Sequence, residues 1–237
     1  MDVTDGELLI NDINVNQYDP VVLRQHISAL FQDVGEYSGL TVAANIGLGK
    51  VENMDDVSAI QQAAIDAGAA DFIEKFPHKY DSYLGGIPGW WNCYQGLDTW
   101  NQYDSESDSD DDDEELKEQK KKVQRDLSGG QWQKLGLARA FMRRNDADLM
   151  VLDEPSANLD PEAEVALFET IRKTREGRTT IYISHRFNTI KFADQIMVLE
   201  DGVVKEFGTH QALMDISDGK YRKLYSLQAM GFEIKDL

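Results

Sequence analysis

The stretch 127–160 limits the possible folds of this chain more than any other part of its sequence. It begins with the phrase Leu-Ser-Gly-Gly-Gln at residues 127–131, which is followed by a helical run through Ala140. Ser128 and the two glycines after it open this helix. Their backbone N–H groups, the serine hydroxyl and the helix dipole form a site for an anion such as phosphate. The two glycines let a ligand approach the backbone closely, because they carry no Cβ atom.

The second half of the same stretch predicts a strand that ends in two acidic residues. Met150–Leu152 is a short apolar run, as expected of a strand that is buried on both faces. It delivers Asp153 and Glu154 to its carboxyl end, where open α/β sheets bind their ligands. An aspartate there can hold Mg²⁺, usually through water, and an adjacent glutamate can orient or deprotonate an attacking water. Both halves of the stretch therefore predict a nucleotide site.

Two further predicted strands end in a polar residue. Ile27–Phe31 predicts a strand, with Gln32 directly after it. Thr179–Ser184 predicts a buried strand, because it is rich in β-branched residues, and His185 follows it. A lone histidine is more often structural, but its position after such a strand, downstream of the acidic pair, favours a functional role.

The composition fits one domain with room for an insert, because the chain has 237 residues, of which 41% are hydrophobic. The single cysteine, Cys93, excludes a disulfide framework. No apolar run approaches the length of a membrane span, and the first residues do not form a signal peptide. The formal net charge of -19 argues against binding nucleic acid through a basic face. Much of this charge lies in Asp104–Glu115.

Together these phrases are similar to one protein family. The chain resembles the ATP-binding cassette (ABC) ATPases: residues 127–131 match their signature motif, 153–155 match the end of their Walker B strand, and 156–160 look like their D-loop. The segment 31–33, followed by 40–49, resembles the Q-loop region of exporter-type members.

The resemblance implies a fold and a set of roles. The implied fold is α/β, an incomplete P-loop NTPase sheet of the ABC type with flanking helices, a helical subdomain and a disordered acidic insert. The implied cofactors are ATP and Mg²⁺. Glu154 acts on the attacking water, His185 contacts the γ-phosphate, and Asp153 and Gln32 hold the metal. ABC cassettes work as head-to-tail dimers, and the residues implied to bind the opposite nucleotide are Ser128, Gly129, Gly130, Gln131 and Asp160.

The sequence divides where its composition changes. Residues 1–50 are expected to start the ATPase core through the Q-loop, and 51–103 to form the helical subdomain. Residues 104–125 form an acidic and then basic low-complexity insert, which has little to bury and is expected to be disordered or loosely helical. Residues 126–237 are expected to complete the core with the signature, Walker B strand, D-loop and H-loop. The aromatic stretch 89–103 fits either a partner-binding patch or packing within the subdomain.

One element that the resemblance implies has no match in this sequence. The P-loop pattern G-x-x-x-x-G-K-[S/T] cradles the β- and γ-phosphates, and its nearest counterpart, residues 44–51, lacks the first glycine and the hydroxyl residue. The family places this loop before the strand at 6–10, so we expect the chain to be a fragment that begins too late to contain it. The P-loop strand is expected beside the Walker B strand. Leu149–Leu152 is therefore expected to lack a neighbour and to expose apolar surface.

The sequence leaves two functions open. The first is the ATP-binding domain of an exporter-type transporter, which hydrolyses ATP to drive transport from the cytoplasmic face of a membrane. Its partners are a second cassette and a membrane domain that docks on the helical subdomain, without nucleic acid. The second is a non-catalytic, cytoplasmic protein that docks on an intact cassette and supplies or blocks a signature face. A soluble ABC ATPase of the chromosome or translation type is disfavoured by the exporter-like segments 40–49 and 208–213 and by the acidic charge.

Overall fold

The computed structural model describes residues 3–85, 123–124 and 127–233. The predicted aromatic stretch 89–103 lies outside these residues, as does the predicted insert 104–125 apart from Val123–Gln124. The chain separates into two compact units, residues 1–182 and 183–237, and each is described by itself. Within the described ranges, no helix is both long and apolar enough to cross a membrane.

Strands and helices are interspersed along the chain, as expected of an α/β fold. In chain order the described strands are β1 (Leu9–Ile10), β2 (Ile13–Asn14), β3 (Ile27–Leu30), β4 (Tyr83–Leu84), β5 (Val123–Gln124), β6 (Leu149–Asp153), β7 (Thr179–Ile183), β8 (Ile196–Glu200) and β9 (Val203–Gly208). The described α-helices are α1 (Pro20–Gln25), α2 (Val42–Gly47), α3 (Val57–Asp66), α4 (Ala70–Ile73), α5 (Gly129–Phe141), α6 (Pro161–Thr174), α7 (Phe187–Ile190), α8 (His210–Met214) and α9 (Lys220–Glu233).

The central sheet of the first unit has the strand order β3-β6-β7. β3 and β6 are parallel, with Ile27 opposite Leu149 and Leu30 opposite Leu152. The expectation that Leu149–Leu152 lacks a neighbour was wrong, because β6 lies between two strands. Met150 and Leu152 are fully buried, as an interior strand requires. The predicted α/β fold with a parallel sheet is confirmed.

The prediction that Thr179–Ser184 forms a buried strand was wrong. β7 lies at the edge of the described sheet, and its residues alternate in exposure. Ile181 is 49% and Ile183 is 53% exposed, while Tyr182 is half-buried and meets Phe168 edge-on at a ring-centroid distance of 5.0 Å. The β-branched composition of residues 179–184 therefore indicated a strand, but it did not indicate how much of that strand is buried.

The core of the first unit is built around helix α5. Its residues Leu135, Leu137 and Phe141 are fully buried, and they belong to one apolar cluster with residues of α2, α3, β3 and β6. The approach of Gly49 is especially close, since a Cβ atom there would lie 2.0 Å from the carbonyl oxygen of Arg139. Only glycine fits this position, which brings the segment after α2 onto the helix that begins at the candidate site.

The second unit is a hairpin covered by helices. β8 and β9 pair antiparallel around Asp201 and Gly202, whose φ values of 51° and 74° suit a tight hairpin turn. The buried face of the hairpin contributes Ile196 to a small core with Leu213 and Tyr221.

Candidate functional site

The candidate site begins at the amino end of α5. Ser128 caps this helix, because its Oγ accepts a hydrogen bond from the Gln131 backbone N–H at 3.3 Å. The side-chain Oε1 of Gln131 in turn accepts the backbone N–H of Ser128 at 2.9 Å. The two side chains predicted to bind nucleotide thus stabilise each other in a capping box. The Ser128 hydroxyl still has its proton to donate, and Ser128 is exposed.

The two glycines of this segment differ in their surroundings. A Cβ atom at Gly130 would lie 2.9 Å from the carbonyl oxygen of Asn158, whereas one at Gly129 would meet its nearest neighbour, Nδ2 of Asn158, at 3.8 Å. Gly130 is therefore required for contact between the helix start and the segment after β6. Gly129 is the position where a ligand can approach the backbone without this constraint.

Three of the predicted site residues lie together at the carboxyl ends of neighbouring strands, β3 and β6, along one edge of the central sheet. Asp153 is the last residue of β6 and is half-buried, and Glu154 follows it. Gln32 is exposed and stands two residues beyond Leu30, just as Glu154 stands two residues beyond the paired Leu152. The parallel register of β3 and β6 therefore brings the amide of Gln32 to the edge that carries both carboxylates.

The donor set at this edge fits Mg²⁺. Among the described residues, no group of three or more His, Cys, Asp or Glu side chains is placed to hold a metal ion. Mg²⁺ does not need such a cage, because it keeps several waters and binds through one or two carboxylates together with substrate phosphates. Asp153, with the amide oxygen of Gln32, is the oxygen donor set that this mode of binding uses.

The backbone at Glu154 takes an uncommon conformation. Its φ is +47°, in the left-handed region that residues with a Cβ atom seldom adopt. The buried side chain of Gln133 donates from Nε2 to the carbonyl oxygens of Glu154, at 3.2 Å, and Pro155, at 3.3 Å. Gln133 was not predicted from the sequence. The feature that marks it is a polar residue between Trp132 and Leu135, on the side of the helix that faces the core.

The segment after Glu154 is held by two further contacts. The hydroxyl of Ser156 donates to Oε1 of Glu164 at 2.8 Å, and both residues are buried. Asp160 caps helix α6 by accepting the Ala163 N–H at 2.9 Å. This backbone hydrogen bond lowers the pKa of Asp160, so its carboxylate stays charged at the helix start. Asp160, which was predicted to bind nucleotide, thus has a clear structural role.

His185 belongs to the second unit, so its position is described there alone. It is exposed and follows the last residue of β7 by two positions. Its backbone carbonyl accepts Nε2 of Gln228 at 3.0 Å, and Oε1 of the same glutamine accepts the Phe187 N–H at 2.9 Å. One side chain of helix α9 therefore fixes the backbone on both sides of Arg186. The sequence analysis did not predict this role for Gln228.

A groove lies among the helices that precede the aromatic stretch. It has a volume of about 400 Å³ and is lined by Ala43, Val57, Ile60, Gln61, Pro77, His78, Lys79, Tyr80 and Asp81. Burial raises the pKa of Tyr80, and the negative charge of Glu74 raises it further, so the phenol stays neutral at physiological pH. The groove is therefore mixed in character, with apolar side chains beside hydrogen-bonding ones.

Comparisons with known proteins point to one family. The family model described as "ABC transporter" matches residues 1–157. The ATP-dependent lipid A-core flippase of Chromohalobacter salexigens is 35% identical over 225 residues, which are 95% of this chain and 32% of the flippase. The subtilin transport ATP-binding protein of Bacillus subtilis is 34% identical over 90% of this chain and 29% of its own length.

The solved structures give the same result. A bacterial Atm1-family ABC exporter with ATP bound has a TM-score of 0.73 and 27% identity, covering 96% of this chain and 33% of that one. The chain thus spans about a third of the length of the proteins it matches.

Proposed function

Because the chain belongs to the ABC transporter family, we propose that it is an ATP-binding and ATP-hydrolysing domain that drives export across a membrane. The observation that carries this proposal is the sheet edge where Gln32, Asp153 and Glu154 follow neighbouring parallel strands. Two oxygen donors and a separate carboxylate at one edge suit a metal–phosphate substrate and the activation of water. The domain acts on the cytoplasmic face of the membrane.

Each residue of the sheet edge has one task in this proposal. Mg²⁺, when bound there, would supply positive charge that offsets the charge of the phosphates. Asp153 and Gln32 hold the metal, and Glu154 accepts a hydrogen bond from the attacking water and takes its proton. The strained backbone at Glu154 directs this carboxylate relative to Asp153. His185 donates a hydrogen bond to the γ-phosphate.

The helix start at residues 128–131 serves a different nucleotide. In a head-to-tail pair of cassettes, the hydroxyl of Ser128 and the backbone N–H groups of the first turn of α5 bind the γ-phosphate held by the partner. Asp160 keeps the segment after β6 in place by capping α6. The partners in this proposal are therefore a second cassette and a membrane domain. The groove at Tyr80 receives the membrane domain.

A second candidate function is favoured by the sequence itself. No G-x-x-x-x-G-K-[S/T] phrase occurs in it, so the lysine that grips the phosphates must come from a polypeptide segment other than residues 1–237. If no such segment joins the fold, the chain offers its α5 start to an intact cassette without cleaving ATP at Glu154. Both functions use Ser128, but only the first uses Glu154.

A mixing experiment separates the two functions. The probe is an exporter cassette that has a P-loop but whose own signature serine is replaced by arginine, so that it turns over no ATP as a homodimer. If adding this chain restores turnover, and Ser128→Arg in this chain prevents it, the α5 start completes a nucleotide site. If the wild-type chain fails to restore turnover while remaining folded, the proposed pairing is wrong.

The effect of Glu154→Gln then assigns the catalytic role. Turnover by the native protein that is lost with Glu154→Gln supports the first function. The second function is supported by two results together. Turnover in the mixture is restored whether or not this chain carries Glu154→Gln, and the native protein alone shows no turnover. Thr170→Ala is a suitable control variant, because its hydroxyl bonds only within helix α6, to the Ala166 carbonyl.

A further inference from the structure

The catalytic turn after β6 has a backbone that its own sequence does not favour. Glu154 has a φ of +47°, and such a conformation costs a residue with a Cβ atom about 1 kcal/mol or more. It persists only where the surrounding structure holds it. The turn is closed internally by the Ala157 N–H, which donates to the Glu154 carbonyl at 3.1 Å, and the Leu159 N–H, which donates to the Ser156 carbonyl at 3.0 Å.

Gln133, on helix α5, also stabilises this turn through its side chain. Its side chain is 3% exposed, and its Nε2 lies 3.2 Å from the Glu154 carbonyl and 3.3 Å from the Pro155 carbonyl. Carbonyl oxygens only accept hydrogen bonds, so the amide must present its NH₂ group to them. The two hydrogens of that group match the two neighbouring carbonyls. A buried amide with this match fixes the orientation of the peptide that follows Glu154.

The same helix contacts the turn at a second point. Gly130 approaches the carbonyl of Asn158 so closely that a Cβ atom would lie 2.9 Å from it. Gly130 and Gln133 are separated by less than one helical turn. Together they join the anion-binding start of α5 to the segment that carries Glu154.

We propose that Gln133 is a positioning residue, which fixes the Glu154–Pro155 backbone and thereby aims the Glu154 carboxylate at the water it activates. The catalytic consequence of this inference rests on the proposed function, but the fixing of the Glu154–Pro155 backbone by Gln133 rests on the geometry alone. Gln133 touches neither substrate nor metal in this account. It acts through the turn, and it links the state of the nucleotide at Ser128 to the carboxylate at Glu154.

Two substitutions test the hydrogen bonds separately from packing. Gln133→Leu keeps most of the volume and removes both donors. Gln133→Glu keeps the shape, and its carboxyl donates to a carbonyl only when protonated, so its effect depends on pH. Ser28→Ala is the matched control: the buried Ser28 hydroxyl donates to the Ala140 carbonyl at 2.8 Å, at the other end of the same helix.

The first readout is the set of backbone amide chemical shifts at 154 and 156–159, recorded from about pH 5 to about pH 8. Gln133→Leu is expected to shift them at every pH. Gln133→Glu is expected to shift them at high pH and to return them toward wild type at low pH. Asp153, Glu154 and Glu164 also place carboxyl groups at or beside this turn, so the wild type over the same range is the reference. Shifts at the turn that match wild type in both variants, or that are equal in both at every pH, would overturn the proposal.

The second readout is turnover by the native protein. Gln133→Leu is expected to lower kcat by about 10- to 100-fold with KM within about twofold, because misdirection of Glu154 affects the transition state and not binding. Equal losses in Gln133→Leu and Ser28→Ala would overturn the positioning role. A wild-type protein without turnover would refute the catalytic function, and the chemical shifts would still decide whether Gln133 sets the turn. If Gln133→Leu fails to fold, the pH comparison within Gln133→Glu decides the same question.

Discussion

Arg175 offers the sharpest test of how the strand that carries the acidic pair is held. It is 3% exposed, and its guanidinium donates to four backbone carbonyls, those of Arg144, Ala147, Asp148 and Thr179. Three of them belong to the link between α5 and β6, and the fourth begins β7. Burial lowers the pKa of Arg175, but the group remains charged at neutral pH. A single side chain therefore fixes the link to the edge strand.

Replacing Arg175 with methionine removes the donors and keeps an apolar stem. The carbonyls of Arg144 and Ala147 keep a donor in Arg178, and those of Asp148 and Thr179 are only partly buried, so losing Arg175 costs about 0.5–1 kcal/mol at each of the four. Packing of the methionine offsets about 1 kcal/mol of this. We expect the free energy of unfolding to fall by about 2 kcal/mol.

Urea unfolding followed by circular dichroism measures this change, as a midpoint about 1 M lower. Arg178→Met is the control, because Arg178 donates to the carbonyls of Arg144, Asn145 and Ala147 but is exposed. That variant is expected to lose less than about 1 kcal/mol. Equal losses in the two variants, or a loss below about 1 kcal/mol in Arg175→Met, would refute the argument that burial makes this group important.

Three further predictions concern other parts of the fold. Gly49→Ala forces a Cβ atom to 2.0 Å from the Arg139 carbonyl, so its Tm should fall sharply, while Gly129→Ala, with its nearest neighbour at 3.8 Å, should melt near wild type. The pKa of Asp160 is lowered by the Ala163 N–H, so its stabilising effect is present above about pH 4 and is lost as pH falls through the folded pKa. Wild type should therefore be more stable than Asp160→Ala in neutral urea titrations, and the difference should shrink at acid pH; a difference between the two that stays constant down to acid pH would contradict this. Burial raises the pKa of Tyr221 to about 12, so stability of the second unit should fall as pH rises from about 10 to about 12, and Tyr221→Phe should remove this slope in alkaline melts.

Local patterns predicted local structure well. Asp19 before Pro20 is a typical helix start, and α1 begins there with that cap. Asp201-Gly202 is a typical two-residue hairpin turn, and β8 and β9 pair around it. The apolar run before Asp153 predicted β6, and Met150 and Leu152 are fully buried in it. These features depend on neighbours in sequence, which the chain itself displays.

Strand order and burial depend on distant parts of the chain and were predicted poorly. Leu149–Leu152 was expected to lack a neighbour, yet β6 lies between β3 and β7. Thr179–Ser184 was expected to be buried, yet Ile181 is exposed. Val57 and Val165 fit the apolar stripes of their helices but are exposed in the structure, because periodicity gives a face and not what covers it.

The candidate site shows the same division. The motifs marked Ser128, Asp153 and Glu154, but the reciprocal cap between Ser128 and Gln131 was not foreseen. Gln133 was missed because its partners are backbone carbonyls, which carry no sequence signal. Whether Glu154 and His185 act on one nucleotide stays a prediction.

The measurement that tests the central claim most directly is single-turnover hydrolysis of radiolabelled ATP by the native protein, comparing wild type with Glu154→Gln. The account predicts that the variant still binds Mg·ATP but hydrolyses it about 100-fold or more slowly, because it lacks the base that takes the proton from water. Hydrolysis at the wild-type rate by Glu154→Gln would contradict the assignment of Glu154, and bound ATP that the wild type never cleaves would contradict the catalytic function.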